Sequence, residues 1–505
     1  MSNFAVAAGH PITVDAAADV LREGGSAVDA ALAAAFTAMV AEPVLAGFFG
    51  GGFLMVREPA GQARLLDFFV QTPRRAVPEA ERDFRAIEAH FGTATQEFHI
   101  GTAAIATPGV PTGLAEAHAR FGRVPMRELV QPALTAARQG VEVTAYQAEL
   151  GRIVAAILLA SPESRALHAK DDATLPEGAL ARNPTFADVL ETYAIEGSRF
   201  ATEGEAAQAL LELSRQGGHL QADDLKRYQP RWRDPLRVRR GEADVSINPP
   251  PSLGGALVAF GLALAEQDPG PADLALCFEA TTRARAEAAL DRDPRDGAAQ
   301  LLSEDFVQRY RREVLGRAAS TRGTTHISVI DRNGMGAALT LSNGEGCGLI
   351  APRTGIMPNN MLGEEDLLPD GFDSWTPDQR LCSMMAPLCV DWPGGRFAML
   401  GSGGSNRIRT ALVQVLIGLI DRNAALPDAI EAPRLHVEGP DPLVVDFEDI
   451  GGEERRDAIF GAYREARAWA DRSMFFGGVH GAMSCPRNGL SAAGDPRRAG
   501  VGTVG

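Results

Sequence analysis

The chain is poor in cysteine, and the five it has, Cys277, Cys347, Cys382, Cys389 and Cys485, are scattered. No CxxC pair occurs and none of the five stands with histidines at zinc-ligand spacing, so no metal site is expected. An odd, dispersed set suits free thiols in a reducing compartment. Long apolar runs are also lacking. The longest, Ala30 to Ala41, covers about 12 residues against the ~20 that span a bilayer. The opening MSNFAVAAGH has neither a basic n-region nor a long apolar h-region, so the expectation is a cytoplasmic protein without a membrane partner. Positive charge is in deficit: 49 Lys and Arg against 65 Asp and Glu give −16. A surface of that sign argues against nucleic acid or an anionic membrane as partner. Internal repeats and low-complexity tracts are missing as well. With 45% hydrophobic and 23% charged residues in 505, the chain can bury a large core or more than one folding unit.

What is there begins with two helices. Thr13 is read as capping a helix with apolar positions Val14, Ala17, Ala18 and Leu21, stopped by Gly24-Gly25. Ser26 and Asp29 have the spacing of a capping box for a second, alanine-rich helix running to about Val40. GFFGGGFLMV then reads as glycines entering a central strand, with ARLLDFFV as its partner. Residues from about 110 to 230 are mostly helical in pattern, PMRELVQPALTAARQG being one strong helix. NPPPSLGGALVAFGLALAE reads as a rigid loop leading into an apolar helix, and Phe306 to Leu315 as a charged one. From Thr324 onward the pattern is β: THISVID, Asn333-Gly334 and GAALTLS predict a hairpin with a tight primed turn. Helices on both sides of several β segments imply a layered α/β protein.

The chemistry-bearing feature is Gly323-Thr324-Thr325-His326 at the start of that hairpin. A threonine hydroxyl within a chain has no dedicated base. If the Gly323–Thr324 bond is cut, Thr324 gains a free α-amine of pKa roughly 7.7–8.0, which can act as base for its own side chain. Glycine before the bond tolerates the backbone that an N-to-O acyl shift needs. The same tripeptide also reads as plain strand. GFFGGG lacks the GxGxxG spacing of a dinucleotide site and precedes a strand. His326 points to the face opposite Thr325, and His436 reads as a packing residue.

Nine segments in this order, EGGSAVDAALAAAF, GFFGGGFLMV, ATPGVPTGLAEAHARFG, NPPPSLGG, GTTHISVIDRNG, GIMPNNML, GSGGSNRI, APRLHVEG and SAAGDPRR, resemble the γ-glutamyltransferase family over about residues 5 to 500. The resemblance implies a four-layer αββα sandwich of the N-terminal-nucleophile type, a large-subunit region 1–323 and a small-subunit region 324–505 cut from one precursor. It implies Thr324 as nucleophile, Gly323 and Thr324 as the processing site, and no cofactor. Ser342 stands where the family has a threonine bonded to the nucleophile. Gly403 and Gly404 resemble the pair whose amides form an oxyanion hole, although GSGGSN also reads as a flexible turn. Asn343, Asn360, Glu364, Cys382, Ser383 and Ser405 are the implied substrate contacts, Asn343 lying one position short of the usual asparagine.

Three departures bear on substrate. Phe69 takes the place of the arginine that grips a substrate α-carboxylate, and a ring cannot make a bidentate charge pair; Arg74 or Arg75 is either a substitute or a solvated charge. Glu364 replaces an aspartate that binds the α-amine, with Met361 beside it in place of a polar residue. Cys382 replaces the first of two serines, and a thiol is a weak donor. Two activities follow as expectations: hydrolysis or transfer of γ-glutamyl amides such as glutathione, or an acylase acting on another amide, for example a dicarboxylic one. A non-catalytic metabolite-binding homologue is the reading from a different class.

Overall fold

The computed structural model describes residues 3–91, 94–313, 324–368, 371–438 and 444–505. Its frame is two β-sheets pressed face to face, with helices on both outer sides. The first sheet is built from β1 (Ala5–Ala8), β2 (Gly51–Arg57), β3 (Ala63–Phe68), β4 (Arg231–Arg233) and, from the second half of the chain, other strands. The second sheet begins with β5 (Leu236–Arg240) and β6 (Ala243–Ile247). The other strands of these two sheets are β7 (Thr325–Ile330), β8 (Gly336–Ser342), β9 (Leu388–Asp391), β10 (Phe397–Gly403), β11 (Gly478–Cys485), β12 (Gly489–Ala493) and β13 (Val501–Val504). The seven-stranded sheet runs β4-β3-β2-β8-β7-β1-β13 and the six-stranded one β5-β6-β9-β10-β11-β12. Helices α1 (Pro11–Arg22) and α2 (Ala27–Ala41) cover the first sheet; α3 (Leu253–Leu264) and α4 (Arg407–Ile420) cover the second. This is the four-layer αββα sandwich that the family resemblance implies.

Local chemistry accounts for the elements. Helix α2 starts at the expected capping box, Ser26 accepting from the Asp29 N–H and Asp29 from that of Ser26. All fifteen of its residues are buried, so its small side chains let it lie close between the sheet and the other helices. Asp29 is fully buried too, and its carboxylate also accepts from the backbone N–H of Arg123 at 3.0 Å. Three expectations are corrected. Helix α1 is capped by His10, whose Nδ1 accepts from Ile12; Pro11 suits the first turn, where its missing N–H is not needed, and Thr13 is buried inside the helix. The 126–139 segment forms two helices, Met126–Leu129 and Gln131–Gln139, because Pro132 cannot continue the first ladder. The charged helix starts at Glu304, two residues before Phe306, and is described to Glu313; its expected end at Leu315, and Gly323, lie outside the described residues.

The β7–β8 hairpin is present, but its connection is longer than a two-residue primed turn. Asp331 accepts from the N–H groups of Asn333 (2.8 Å) and Met335 (3.1 Å), and only Gly334 takes a positive φ, +79°. The aspartate side chain thus stabilises a wider turn. Removing the buried Asp29 carboxylate leaves several donors unanswered. Asp29→Ala is therefore expected to cost at least about 2 kcal/mol, measured as a lowered urea midpoint with unchanged slope.

Candidate active site

Strand alternation decides what faces what. In β7, Thr325 directs its hydroxyl to Glu42 at the end of α2, 3.1 Å away. His326 turns the other way, between the sheets, where Nδ1 meets Thr340 (2.8 Å) and Nε2 meets Ser328 (2.9 Å). Burial and the nearby His480 hold its pKa well below the usual 6.5, so it packs as a neutral ring against Gly401, where a Cβ would approach it to 2.3 Å. Thr324 belongs to the same face as His326 by parity. Thr325 pairs with Leu341, so one further step of the register sets Thr324 opposite Ser342.

Both hydroxyl residues line one pocket at the mouth between the sheets. Its wall also includes Phe69, Leu253, Met361, Glu364, Asp366, Leu367, Cys382, Ser383, Ser405 and Ile408. The glycine-rich strand entry serves this geometry. A Cβ at Gly50 would meet the Ser342 carbonyl oxygen at 2.3 Å, and one at Gly51 would meet the Phe69 ring at 3.0 Å. The NPPPSLGG loop holds the opposite wall: Ser252 donates to the Ser383 and Met385 carbonyls, and Asn248 Nδ2 donates to Met385. Gly254 lies so near Met384 that a Cβ would come within 1.9 Å of its carbonyl oxygen.

Gly403 ends β10 directly on the nucleophile candidate. A Cβ there would fall 1.9 Å from the Thr324 carbonyl oxygen, so only glycine fits. The chain then turns through Gly404 (φ +122°) and Ser405 (φ +50°) into α4. The positive end of a fourteen-residue helix therefore faces the pocket, an arrangement suited to a developing negative charge.

Of the residues singled out in the sequence, Thr324, Ser342, Glu364, Cys382, Ser383 and Ser405 share the pocket, with Gly403 packed behind Thr324. Two do not line it. Asn343 points to the other side, donating to the Met357 carbonyl and packed on Gly47. Asn360 is structural, its oxygen accepting from the N–H groups of Glu345 and Gly346. Cys382 is buried among Leu367, Asp291, Arg285 and Asp366, and burial pushes its thiol up to about 12. Phe69 stacks on Phe53 with ring centres 5.4 Å apart. Arg74 pairs with Asp378 at 2.8 Å and neither it nor Arg75 enters the lining. Arg380 lies beneath, bonded to Tyr228 and the Phe69 carbonyl. Among the described residues, no lysine or arginine lines the pocket. His436 bonds Thr410 at 2.8 Å, and no group of histidines, cysteines and carboxylates fit to hold a metal occurs among the described residues.

Sequence reasoning missed what lies behind Thr324. Glu42 is buried, and burial raises its carboxyl from 4.5 to about 7 despite the Thr325 hydrogen bond and nearby Arg498. The Arg498 guanidinium donates to the Thr324 carbonyl at 3.3 Å. The signals were present: an acid ending a helix with no exposed face, and an arginine within SAAGDPRR.

A paired double sheet with a threonine at the mouth of the hairpin strand and a helix N-terminus opposite defines the N-terminal-nucleophile hydrolase class. The fold matches a crystal structure of cephalosporin acylase from Bacillus halodurans with TM-score 0.84 at 22% identity, over 99% of this chain and 96% of that one. Helicobacter pylori γ-glutamyltranspeptidase matches at 0.52 over 60% of this chain and 89% of that one. In sequence, residues 13–505 match the family model described as Gamma-glutamyltranspeptidase. The Acylase ACY 1 proenzyme of a Pseudomonas species is 30% identical over 86% of this chain and 82% of its own length. The glutathione hydrolase proenzyme of Escherichia coli is 28% identical, over 87% and 82%. The chain belongs to the γ-glutamyltranspeptidase family and is an N-terminal-nucleophile amidohydrolase.

Glu42 also sets a pH dependence. Its folded pKa, about 7, lies above its ordinary 4.5, so its contribution to stability is fully present below about 4.5 and is lost as pH rises through 7. Glu42→Gln is expected to flatten that decline, worth on the order of 3 kcal/mol, when unfolding free energies at pH 5 and pH 8 are compared in both proteins.

Proposed function

We propose that the chain is a self-processing acylase whose acyl pocket takes a group without a free α-amino-acid head. The observation that carries this is the pocket wall: Phe69 stands in it, and among the described residues no arginine or lysine does. A zwitterionic glutamyl head needs a cation for its carboxylate as well as an acid for its amine. Glu364 supplies the second requirement, and nothing among the described lining residues supplies the first. The 30% identical acylase proenzyme supports the same direction. The γ-glutamyl activity of other relatives remains the second reading, favoured by Glu364 and Ser383 in the wall.

Processing starts when the Thr324 hydroxyl adds to the Gly323 carbonyl carbon. The C–N bond breaks, the Thr324 nitrogen takes the proton, and an ester remains. Water then cleaves the ester, leaving a Gly323 carboxylate and a free Thr324 amine on regions 1–323 and 324–505. In turnover that amine takes the hydroxyl proton as Oγ adds to the substrate amide carbonyl. The oxyanion is stabilised at the Gly403-Gly404 turn and the start of α4. The departing amine receives the proton, and water or an amine acceptor releases the acyl group from the ester. Ser342, opposite Thr324, is placed to orient the hydroxyl.

Intact mass of the purified protein tests the first half. Fragments 1–323 and 324–505 are expected, with Thr324→Ala remaining whole; a native chain that stays uncut on long incubation contradicts it. Initial rates on hexanoyl, glutaryl and γ-glutamyl anilides test the second half. Hexanoyl anilide should exceed γ-glutamyl anilide in kcat/KM by at least tenfold; a glutaryl preference would contradict the absence of a carboxylate-binding cation, and a γ-glutamyl preference would return the assignment to the second reading.

A further inference from the structure

We infer that Glu42 and Arg498 are positioning residues that hold the main chain of the nucleophile from behind, so that rapid processing and turnover depend on them although neither lines the pocket. The inference rests on Thr324 being the nucleophile.

Each holds one residue of the Thr324–Thr325 unit. Arg498 Nη1 donates to the Thr324 carbonyl at 3.3 Å, and the Thr325 hydroxyl donates to Glu42 Oε1 at 3.1 Å. The two partners face one another, Arg498 acting electrostatically on Glu42 and both on the buried Tyr146 hydroxyl. Arg498 is threaded past three glycines: a Cβ at Gly403, Gly404 or Gly478 would come within 3.2, 3.0 and 2.5 Å of its side chain. It therefore touches the nucleophile's carbonyl and the Gly403-Gly404 turn together, so displacing it moves both.

Glu42 is an unusual choice for a merely structural acid. Its side chain is buried, and Oε2 has no hydrogen-bond partner among the described residues. Beyond it lies a mainly apolar cavity lined by Val44, Leu45, Val143 and Leu150, with Gln147 and His168 also in its wall. Burying a carboxyl there costs stability, and among the described residues the side-chain hydrogen bond it gains is to the residue following the nucleophile. Gly9 leaves room for that bond, since a Cβ would lie 2.4 Å from Oε1 and 3.2 Å from the Thr325 hydroxyl. Thr325 is on the far face of the sheet from the pocket, so this contact cannot touch substrate. Its effect has to pass through the backbone, where a shift of about 1 Å at a reacting group is worth ~10²-fold in rate.

The test uses the full-length chain as Thr324→Ala, Glu42→Ala, Glu42→Gln, Thr325→Val and Thr325→Ser. Processing half-times come from intact mass, and kcat and KM from the best anilide. Glu42→Ala and Thr325→Val are expected to slow processing and lower kcat at least tenfold, with KM within twofold. Glu42→Gln and Thr325→Ser keep the hydrogen bond and should stay within twofold of the parent. If Glu42→Ala does not fold, the Thr325 pair decides alone, because it leaves the carboxyl in place. Parental rates in Thr325→Val, or a Thr325→Ser as slow as Thr325→Val, overturn the inference while leaving Thr324 as nucleophile. A Thr324→Ala chain that still cuts at 323–324 overturns the nucleophile assignment itself.

Discussion

The arrangement depends on the pairing of β7 with β8, which sets Thr325 against Leu341. A strand has two faces, and a slip of one residue would exchange them. With this register, His326 and Ser328 of β7 and Thr340 of β8 turn toward the second sheet. Thr325, Ile327 and Val329 turn toward α2 and the helical layer. The polar face could not be solvated between two sheets, so its members satisfy one another: His326 bonds Thr340 and Ser328, and Ser328 donates to the His480 carbonyl. The register is thereby held from both sides, by apolar packing on one and by a closed hydrogen-bond chain on the other. Thr324 is where that polar face reaches the edge of the sandwich and opens into a pocket.

From this constraint the close contacts of the glycines follow. Two sheets and two loops converge on one backbone carbonyl, that of Thr324, with Gly403 on one side and Arg498 on another. The converging segments have no room for side chains, which is why the glycine-rich entry at 47–52 and the GSGG turn are needed on physical grounds. Their positive-φ members are few. Gly404 needs its φ of +122° to turn the chain from β10 into α4, whereas Gly403, Gly50 and Gly51 are required for close approach rather than for conformation.

Much of the fold was legible because its signals were local. The Ser26–Asp29 box, the alanine run after it, the β7–β8 hairpin and the NPPPSLGG loop each announced themselves over a few residues. Where reading failed, a competing local effect had won: His10 with Pro11 moved a helix start, Pro132 divided a helix, and the Asp331 carboxylate widened a turn. The pocket was legible in part, since Ser342, Glu364, Cys382, Ser383 and Ser405 do gather around Thr324. Asn343 and Asn360 show the limit. Adjacent residues in a strand or turn face opposite ways, so a motif places a segment at a site without saying which of its side chains enters. Glu42 and Arg498 were harder still, because 456 positions of chain separate them and only the folded sandwich brings them to one peptide.

Charge distinguishes this pocket from the pattern its sequence resembles. Asp67, which precedes the Phe68-Phe69 pair, is still present and fully buried, and Arg233 answers it at 2.7 Å, with Arg380 at 3.6 Å. These arginines satisfy the strand end from below while Phe69 takes the position facing the pocket. Moving a cation into that position would need either a new counter-charge or loss of the Phe53–Phe69 stack, so the aromatic wall is built into the packing of the first sheet rather than laid over it. In the proposed mechanism, Thr324, the contacts to its carbonyl and the Gly403-Gly404 turn are independent of that wall, since they are carried by β7, β10, α4 and the C-terminal segment. Substrate choice and chemical step therefore rest on different parts of the sandwich. On that proposal, the acyl group accepted can change through β3 and the 361–384 wall without disturbing Thr324 and the turn behind it.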